Sequence, residues 1–230
     1  VESGCILQNI QNTAEDHDLL FPLSLSAEGT CQIGGNVSTN AGGVNVLKYG
    51  MARDQVMGIE AVLPDGSLFS DLKSLRKNNT GYDLKQLFIG AEGTLGVITK
   101  VSLRLSSSPH TEISSMVSVE KVDDAITLLK ETKKRFGENV TAFEFISQSC
   151  LVAINNFLNH IKLPLGYNDS WQIIFEVINH DEDSLSEFLE EQVNNGVVKN
   201  GLIAKNEKER NDFWLVRHSI SEAEKLSGRG

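Results

Sequence analysis

From residue 33 to residue 43 the chain reads Ile33-Gly34-Gly35-Asn36-Val37-Ser38-Thr39-Asn40-Ala41-Gly42-Gly43. Glycine reaches positive φ and lets main-chain N–H groups converge on one acceptor with no Cβ in the way. Asn36, Thr39 and Asn40 add side-chain donors and acceptors. The run carries too little side chain to build a core of its own. What it offers is bare backbone, a wall that suits a planar polar ring or a phosphate. A plain glycine-rich surface loop is the other reading of the same composition.

A second run, Gly90-Ala91-Glu92-Gly93-Thr94-Leu95-Gly96-Val97-Ile98-Thr99, shares glycines with the dinucleotide fingerprint, but its order is wrong. That fingerprint needs a strand before the glycines and a helix after them. Here the glycines precede a β-branched strand, which disfavours NAD bound in that way. A backbone contact to a nucleotide at the strand's start remains open beside an ordinary tight turn.

The 230 residues are 40% apolar and 23% charged, enough to bury a core in one large domain or two ordinary ones. The formal net charge of −10 argues against a nucleic-acid or anionic-lipid partner. It does not forbid an anionic small molecule, because one local arginine outweighs a distant, screened acidic surface. Cys5, Cys31 and Cys150 are odd in number and widely spaced, and read as reduced thiols rather than metal ligands. His17, His110, His160, His180 and His218 are scattered, so no metal site is expected within the chain. No apolar run is long enough to span a membrane. Val1 rather than Met opens the chain and residue 230 falls just past a helical pattern, so a partial chain is expected.

The hydrophobic pattern gives the order of elements. Ile6, Ile10 and Ala14 predict a helix over residues 5–15. Residues 56–63, the turn Pro64-Asp65-Gly66 and residues 67–69 predict a β-hairpin. A strand follows Gly96 and ends near Leu105. Ser106-Ser107-Ser108-Pro109 is a boundary signal. Beyond it, strands at 113–119, 142–146, 171–178 and 197–204 alternate with helices. One helix carries the stripe Val122, Ala125, Ile126 and Leu129. Another covers 151–158, a third carries Leu185, Phe188 and Leu189 after a cap at Asp181, and a last one runs from 207 to 226. The alternation predicts an α+β class, with a sheet bearing helices on one face. No sequence repeat stands out, although the alternation can hide a structural one. In the last helix Trp214, Arg217 and Ser221 share one face, and an arginine fork beside a hydroxyl suits a carboxylate. A surface ion pair is the other reading of Arg217.

Three stretches carry a resemblance: Cys31 to Gly43 with its Thr-Asn-Ala-Gly-Gly core, the run Lys77-Asn78-Asn79-Thr80-Gly81-Tyr82-Asp83-Leu84-Lys85-Gln86-Leu87-Phe88-Ile89-Gly90, and Glu92 to Thr99. Together they resemble the second half of the FAD-binding domain of the vanillyl-alcohol-oxidase/PCMH-type flavoproteins. The branch is that of D-2-hydroxyglutarate dehydrogenase and D-lactate dehydrogenase (glycolate-oxidase-subunit-D-like). The likeness continues more loosely to the C-terminus. It implies that residues 1–105 form the C-terminal part of a PCMH-type FAD domain. It implies that 110–230 form an incomplete substrate-cap domain, an antiparallel sheet with helices on one face.

The same resemblance assigns Pro22, Leu23, Gly34, Gly35, Asn36, Thr39, Asn40, Gly42, Gly43, Thr80, Gly81, Glu92, Gly93, Gly96, Val97 and Ile98 to FAD, with Lys77 a weaker candidate. It makes Arg217, with Ser221, the anchor for a substrate carboxylate. In the family the second position is often threonine, so Ser221 departs from the pattern. The implied reaction is oxidation of a D-2-hydroxy acid of the D-2-hydroxyglutarate or D-lactate type to the 2-oxo acid, with hydride passing to flavin N5. A pyrophosphate loop is implied before Val1. A lysine, a histidine-rich zinc-like metal site and the catalytic base are implied after Gly230, so no catalytic residue is expected inside the chain. The implied setting is the cytoplasm or mitochondrial matrix, with an unnamed electron acceptor and room for a homodimer. Two rivals stay open: a non-catalytic flavin-binding module of the same fold, and a flavin oxidase of an alcohol or aldonolactone.

Overall fold

The computed structural model describes residues 1–75, 77–169 and 171–228. Gly230, the expected end of the second domain, lies outside them. The chain divides into two units, Val1–Ser108 and Pro109–Gly230.

In the first unit the amphipathic helix α1 (Leu7–Glu15) buries Leu7, Ile10 and Ala14. Ile6 is its extended N-cap and bridges to Gln32. A two-residue strand β1 (Leu19–Leu20) follows, then three short helices, α2 (Ile33–Ser38), α3 (Val46–Tyr49) and α4 (Ala52–Gln55). The predicted hairpin is present as β2 (Val56–Val62) and β3 (Leu68–Asp71), paired antiparallel. Its turn is closed by Asp65, whose carboxylate accepts from the Ser67 N–H at 2.9 Å, with Gly66 at φ +83°. After α5 (Lys85–Phe88) the strand predicted beyond Gly96 is β4 (Val97–Leu103), which pairs with the other edge of β2. β5 (Ser106–Ser107) pairs with β1. Ile59, Ala61, Ile98 and Val101 of the sheet pack with the buried face of α1 in one core.

The glycine run differs from its expected character. Ile33 and Val37 are fully buried in that core, and residues 33–38 are helical. A turn and a half of helix places residues four apart on one face, so two apolar side chains suffice to seat it.

The second unit is built on the antiparallel sheet β7-β8-β6-β9. It comprises β6 (Glu112–Val119), β7 (Val140–Ser147), β8 (Trp171–Ile178) and β9 (Asn200–Ile203). Helices α6 (Val122–Phe136) and α8 (Glu182–Asn194) connect β6 to β7 and β8 to β9, so two split βαβ units interleave, as in ferredoxin-like folds. These two halves are the structural repeat that the sequence does not show. α6 and α8 cover the face carrying Val117, Val119, Ile173, Phe175 and Val177.

The expectation of helices on one face is corrected. The last helices, α9 (Glu207–His218) and α10 (Ile220–Leu226), with α7 (Gln148–Phe157), cover the opposite face, where Trp214 of α9 meets Ser114 and Glu176. Residues 172–178 of β8 are buried without a break, the mark of a strand covered on both sides. The stripe of α6 is also rotated. Ala125, Leu128, Thr132 and Phe136 face inward, and Val122 and Ile126 are about half exposed at 46% and 48%.

Candidate functional site

The first unit brings most of the glycine-rich segments to one place. The Gly90 N–H donates to the Val37 carbonyl at 3.2 Å and the Glu92 N–H to the Ser38 carbonyl at 2.9 Å. The turn at 90–93 is thereby fastened to the end of α2. On the other side the Asn45 amide donates to the Pro22 carbonyl at 3.1 Å and the Val44 N–H to the Ser24 carbonyl at 3.2 Å. Gly43, at φ +83°, lies so close to this strap that a Cβ there would come within 2.2 Å of the Ser24 oxygen.

Arg53 ties the segments together from below. Its guanidinium donates to the Gln86 carbonyl at 2.9 Å, to the Gln86 side chain at 2.6 Å and to the Ile89 carbonyl at 2.5 Å. Its backbone N–H donates to Asn40 Oδ1 at 2.9 Å, with Asn40 in the left-handed region at φ +50°. The Asn40 side-chain oxygen is thus committed to the fold. Thr39 donates within its own helix, to the Gly35 carbonyl at 3.0 Å. No sequence pattern singled out Arg53, because its partners are carbonyl groups more than thirty residues away.

The remaining candidates separate by burial. Pro22, Leu23, Gly34, Gly96 and Ile98 are buried. Gly34 is fitted against Ser3, and Gly96 against the Val62 carbonyl and the Phe88 ring. Gly35, Glu92, Gly93 and Val97 are exposed, and a Cβ on Gly35 or Gly93 would meet nothing within 4 Å. Thr80 and Gly81 stand apart from the wall and open onto a cleft of about 420 Å³ that Asp71, Lys73 and Arg104 also line.

The wall has donors and acceptors to spare. Asn36 is buried, yet its Oδ1 has no partner among the described residues. Nor, among those residues, do the N–H groups of Gly42 and Gly43. Buried polar groups are almost always satisfied, so the Asn36 oxygen is an exception, while Gly42 and Gly43 are only partly buried and their N–H groups are open to a further acceptor. This donor and acceptor set fits the edge of a flavin or a pyrophosphate.

The second unit holds a different constellation. Glu176 of β8 is buried. Its Oε2 accepts from Ser114 Oγ at 2.7 Å, Arg210 Nε at 2.9 Å and Trp214 Nε1 at 3.2 Å. Thr141 Oγ1 reaches Oε1 at 3.2 Å. Burial pushes the Glu176 pKa upward, but the Arg210 charge and the Ser114 and Trp214 hydrogen bonds outweigh it and hold the carboxyl below its ordinary value. Arg210 also pairs with Glu112. Three residues beyond Trp214, Arg217 is about one-third exposed at 32%, and its Nε donates to Glu144 on β7. Ser221 is exposed, past the point where Ser219 divides the terminal helix. Glu144, Glu176 and Arg210 escaped the sequence reading. No local pattern marks them, because their partners lie 34 or more residues away along the chain. Among the described residues no group of three His, Cys, Asp or Glu side chains is placed to hold a metal. Nor is any helix among them long and apolar enough to cross a membrane.

Two family models match the chain. Residues 1–71 match an FAD binding domain, and residues 108–230 match the C-terminal domain of FAD linked oxidases. The chain belongs to the FAD-linked oxidases. Among curated relatives of this chain, the mitochondrial D-2-hydroxyglutarate dehydrogenase of Danio rerio is 40% identical over 227 residues, covering 96% of this chain and 42% of the relative. That of Arabidopsis thaliana is 37% identical over 231 residues, covering 99% and 41%. A putative mitochondrial D-lactate dehydrogenase of Schizosaccharomyces pombe is 33% identical, covering all of this chain and 44% of the relative. The chain thus spans about two-fifths of the length of these relatives. Among solved structures, an alkyldihydroxyacetonephosphate synthase superposes with a TM-score of 0.67 at 15% identity, over 94% of this chain and 41% of that one, a likeness of fold.

Proposed function

We propose that the protein containing this chain oxidises a D-2-hydroxy acid, of the D-2-hydroxyglutarate or D-lactate type, to the 2-oxo acid. The observation that carries the reading is the state of Arg217. Among the described residues its one hydrogen bond is Nε to Glu144, so both Nη groups are available to a carboxylate. The relatives that match nearly the whole chain are named for D-2-hydroxy acids, which all carry that carboxylate beside the reacting carbon. Ser221, four residues on, adds an exposed hydroxyl donor.

In this reading residues 1–105 are the C-terminal part of a PCMH-type FAD domain, and residues from 110 onward belong to the substrate-cap domain. FAD, when bound, supplies the acceptor for the hydride that leaves C2. The chain's own groups hold it. Gly42 and Gly43 donate backbone N–H groups and Asn36 supplies its unsatisfied oxygen. Gly35 and Gly93 allow close approach because no side chain stands there, and Glu92 and Val97 flank the contact. Thr39 and Asn40 act by shaping the wall, since their side chains are engaged within it. Pro22, Leu23, Gly34, Gly96 and Ile98 back it from the core. Thr80 and Gly81 extend the site toward the 420 Å³ cleft. Arg217 orients the substrate by its carboxylate, and such fixing of the reacting bond is what a protein contributes beside a redox cofactor. The proton-accepting base and any zinc-like metal belong to parts of the protein outside this chain. The relatives are named as mitochondrial, and we place the protein in the mitochondrial matrix or the cytoplasm.

The test is anaerobic mixing of the full-length, FAD-loaded protein with D-2-hydroxyglutarate and with D-lactate. The flavin absorbance should bleach with at least one of them. A spectrum unmoved by every D-2-hydroxy acid sinks the proposal. Arg217→Ala should weaken carboxylate binding by about 2 kcal/mol or more, with FAD content unchanged.

A further inference from the structure

We propose that Glu144 is a positioning residue for substrate binding: it fixes the Arg217 guanidinium through Nε, so that the two Nη groups face the substrate carboxylate as a planar fork. The inference rests on the reading of Arg217 as carboxylate anchor given above.

Four observations support it. Both partners are referenced to one sheet. Glu144 is set in β7, where it lies opposite Ile174 of β8. α9 is held to β8 three and seven residues before Arg217, by the Trp214 and Arg210 bonds to Glu176. The contact is partly shielded, with the Glu144 side chain 21% exposed and that of Arg217 32%. Finally, Glu144 takes Nε and leaves the Nη groups without a partner among the described residues. An arginine side chain free in solvent must give up rotamer freedom to clamp a ligand. One already held at Nε has given it up before the ligand arrives.

Glu144 has two opposite effects on a carboxylate ligand, which makes the proposal decidable. Its hydrogen-bond acceptor fixes the fork and favours binding. Its negative charge offsets the arginine and disfavours binding. Glu144→Gln keeps an acceptor and removes the charge, so 2-oxoglutarate should bind as tightly as to wild type or more tightly. Glu144→Ala removes both, so its binding should weaken about tenfold if fixing the fork dominates. Calorimetric titration of the full-length, FAD-loaded protein with 2-oxoglutarate reads these changes. Steady-state kinetics should show KM for the hydroxy acid rising more than kcat falls.

Tighter or unchanged 2-oxoglutarate binding by Glu144→Ala overturns the proposal, because charge neutralisation alone predicts that sign. So does a Glu144→Gln variant as weak as Glu144→Ala. If Arg217→Ala leaves 2-oxoglutarate binding unchanged, the anchor reading itself fails. If Arg217→Ala weakens it and Glu144→Ala does not, the role of Glu144 alone fails. Should Glu144→Ala not fold, Glu144→Asp keeps the charge but draws the acceptor back by one methylene. It should bind 2-oxoglutarate more weakly than wild type, and wild-type affinity would overturn the proposal.

Discussion

At Glu176 four donors from three other elements converge on one buried carboxylate, Ser114, Arg210 and Trp214 on one oxygen and Thr141 on the other. Removing one partner of such a pair leaves the other charge buried and under-compensated, which is worse than removing both. Glu176→Gln leaves Arg210 with Glu112 as its ionic partner. The variant should lose about 3 kcal/mol of stability, at the low end for a broken buried pair, measured by urea unfolding. The pH dependence has a defined sign. The folded-state pKa of Glu176 is depressed. Its contribution is therefore fully present above the ordinary carboxylate range, and is lost as pH falls through the lower, folded-state value. The wild-type urea midpoint should drop on that acid side, and Glu176→Gln should lack that share of the drop. None of this is visible in the sequence. Glu176 stands inside the run Trp171–Ile178 with apolar neighbours on both sides, and its partners Ser114 and Arg210 lie 62 and 34 residues away.

Two glycines of the wall separate packing from ligand contact at the level of the element. Gly35 lies in α2 and faces open space, so Gly35→Ala adds a methyl group that touches nothing and favours the helix. It should leave the melting temperature unchanged or raised, yet lower FAD content in the full-length protein, if FAD binds where we propose and the methyl group meets it. Gly43→Ala should lower both together, because its Cβ meets the Ser24 carbonyl and φ is positive. FAD content unaffected by Gly35→Ala would remove that glycine from the site. Helix α6 gives a second contrast. Its existence was legible in the spacing of Val122, Ala125, Ile126 and Leu129, but its inward face was not. A stripe of aliphatic residues fixes the period, and only tertiary packing decides which of two overlapping stripes turns inward. Here Thr132 joins the buried face by donating to the Leu128 carbonyl at 2.7 Å, a polar residue that no hydrophobic pattern would place there. Leu128→Ala should cost about 3 kcal/mol, and Ile126→Ala under about 1 kcal/mol, both by urea unfolding.

Taken whole, the chain was most legible where local chemistry decides the outcome. The Asp65-Gly66 turn, the strand after Gly96 and the Asp181 cap, which accepts from the Ser184 N–H at 2.7 Å, all follow from a few adjacent residues. The coverage of the second sheet was less legible. The sheet interleaves β6 and β8, whose paired residues are about sixty positions apart, and one of its faces is closed by helices that come last in the chain. That arrangement makes a prediction about autonomy. The second unit has strands paired with one another, a core on the α6 and α8 face, and a polar network under α9 whose members all lie between residues 112 and 214. A set of elements with its own paired strands and its own core can fold alone. A polypeptide of residues 109–230 should therefore unfold in urea in one cooperative transition, with coincident curves from circular dichroism and the fluorescence of Trp171 and Trp214. Because the pairing is non-local, refolding should be slow for its size, on the order of milliseconds to seconds. Introducing Glu176→Gln into that polypeptide should lower its stability by the same amount as in the longer chain. A smaller loss would mean that the network draws on residues outside the unit, and a gradual, non-coincident transition would mean that its core is not complete without them.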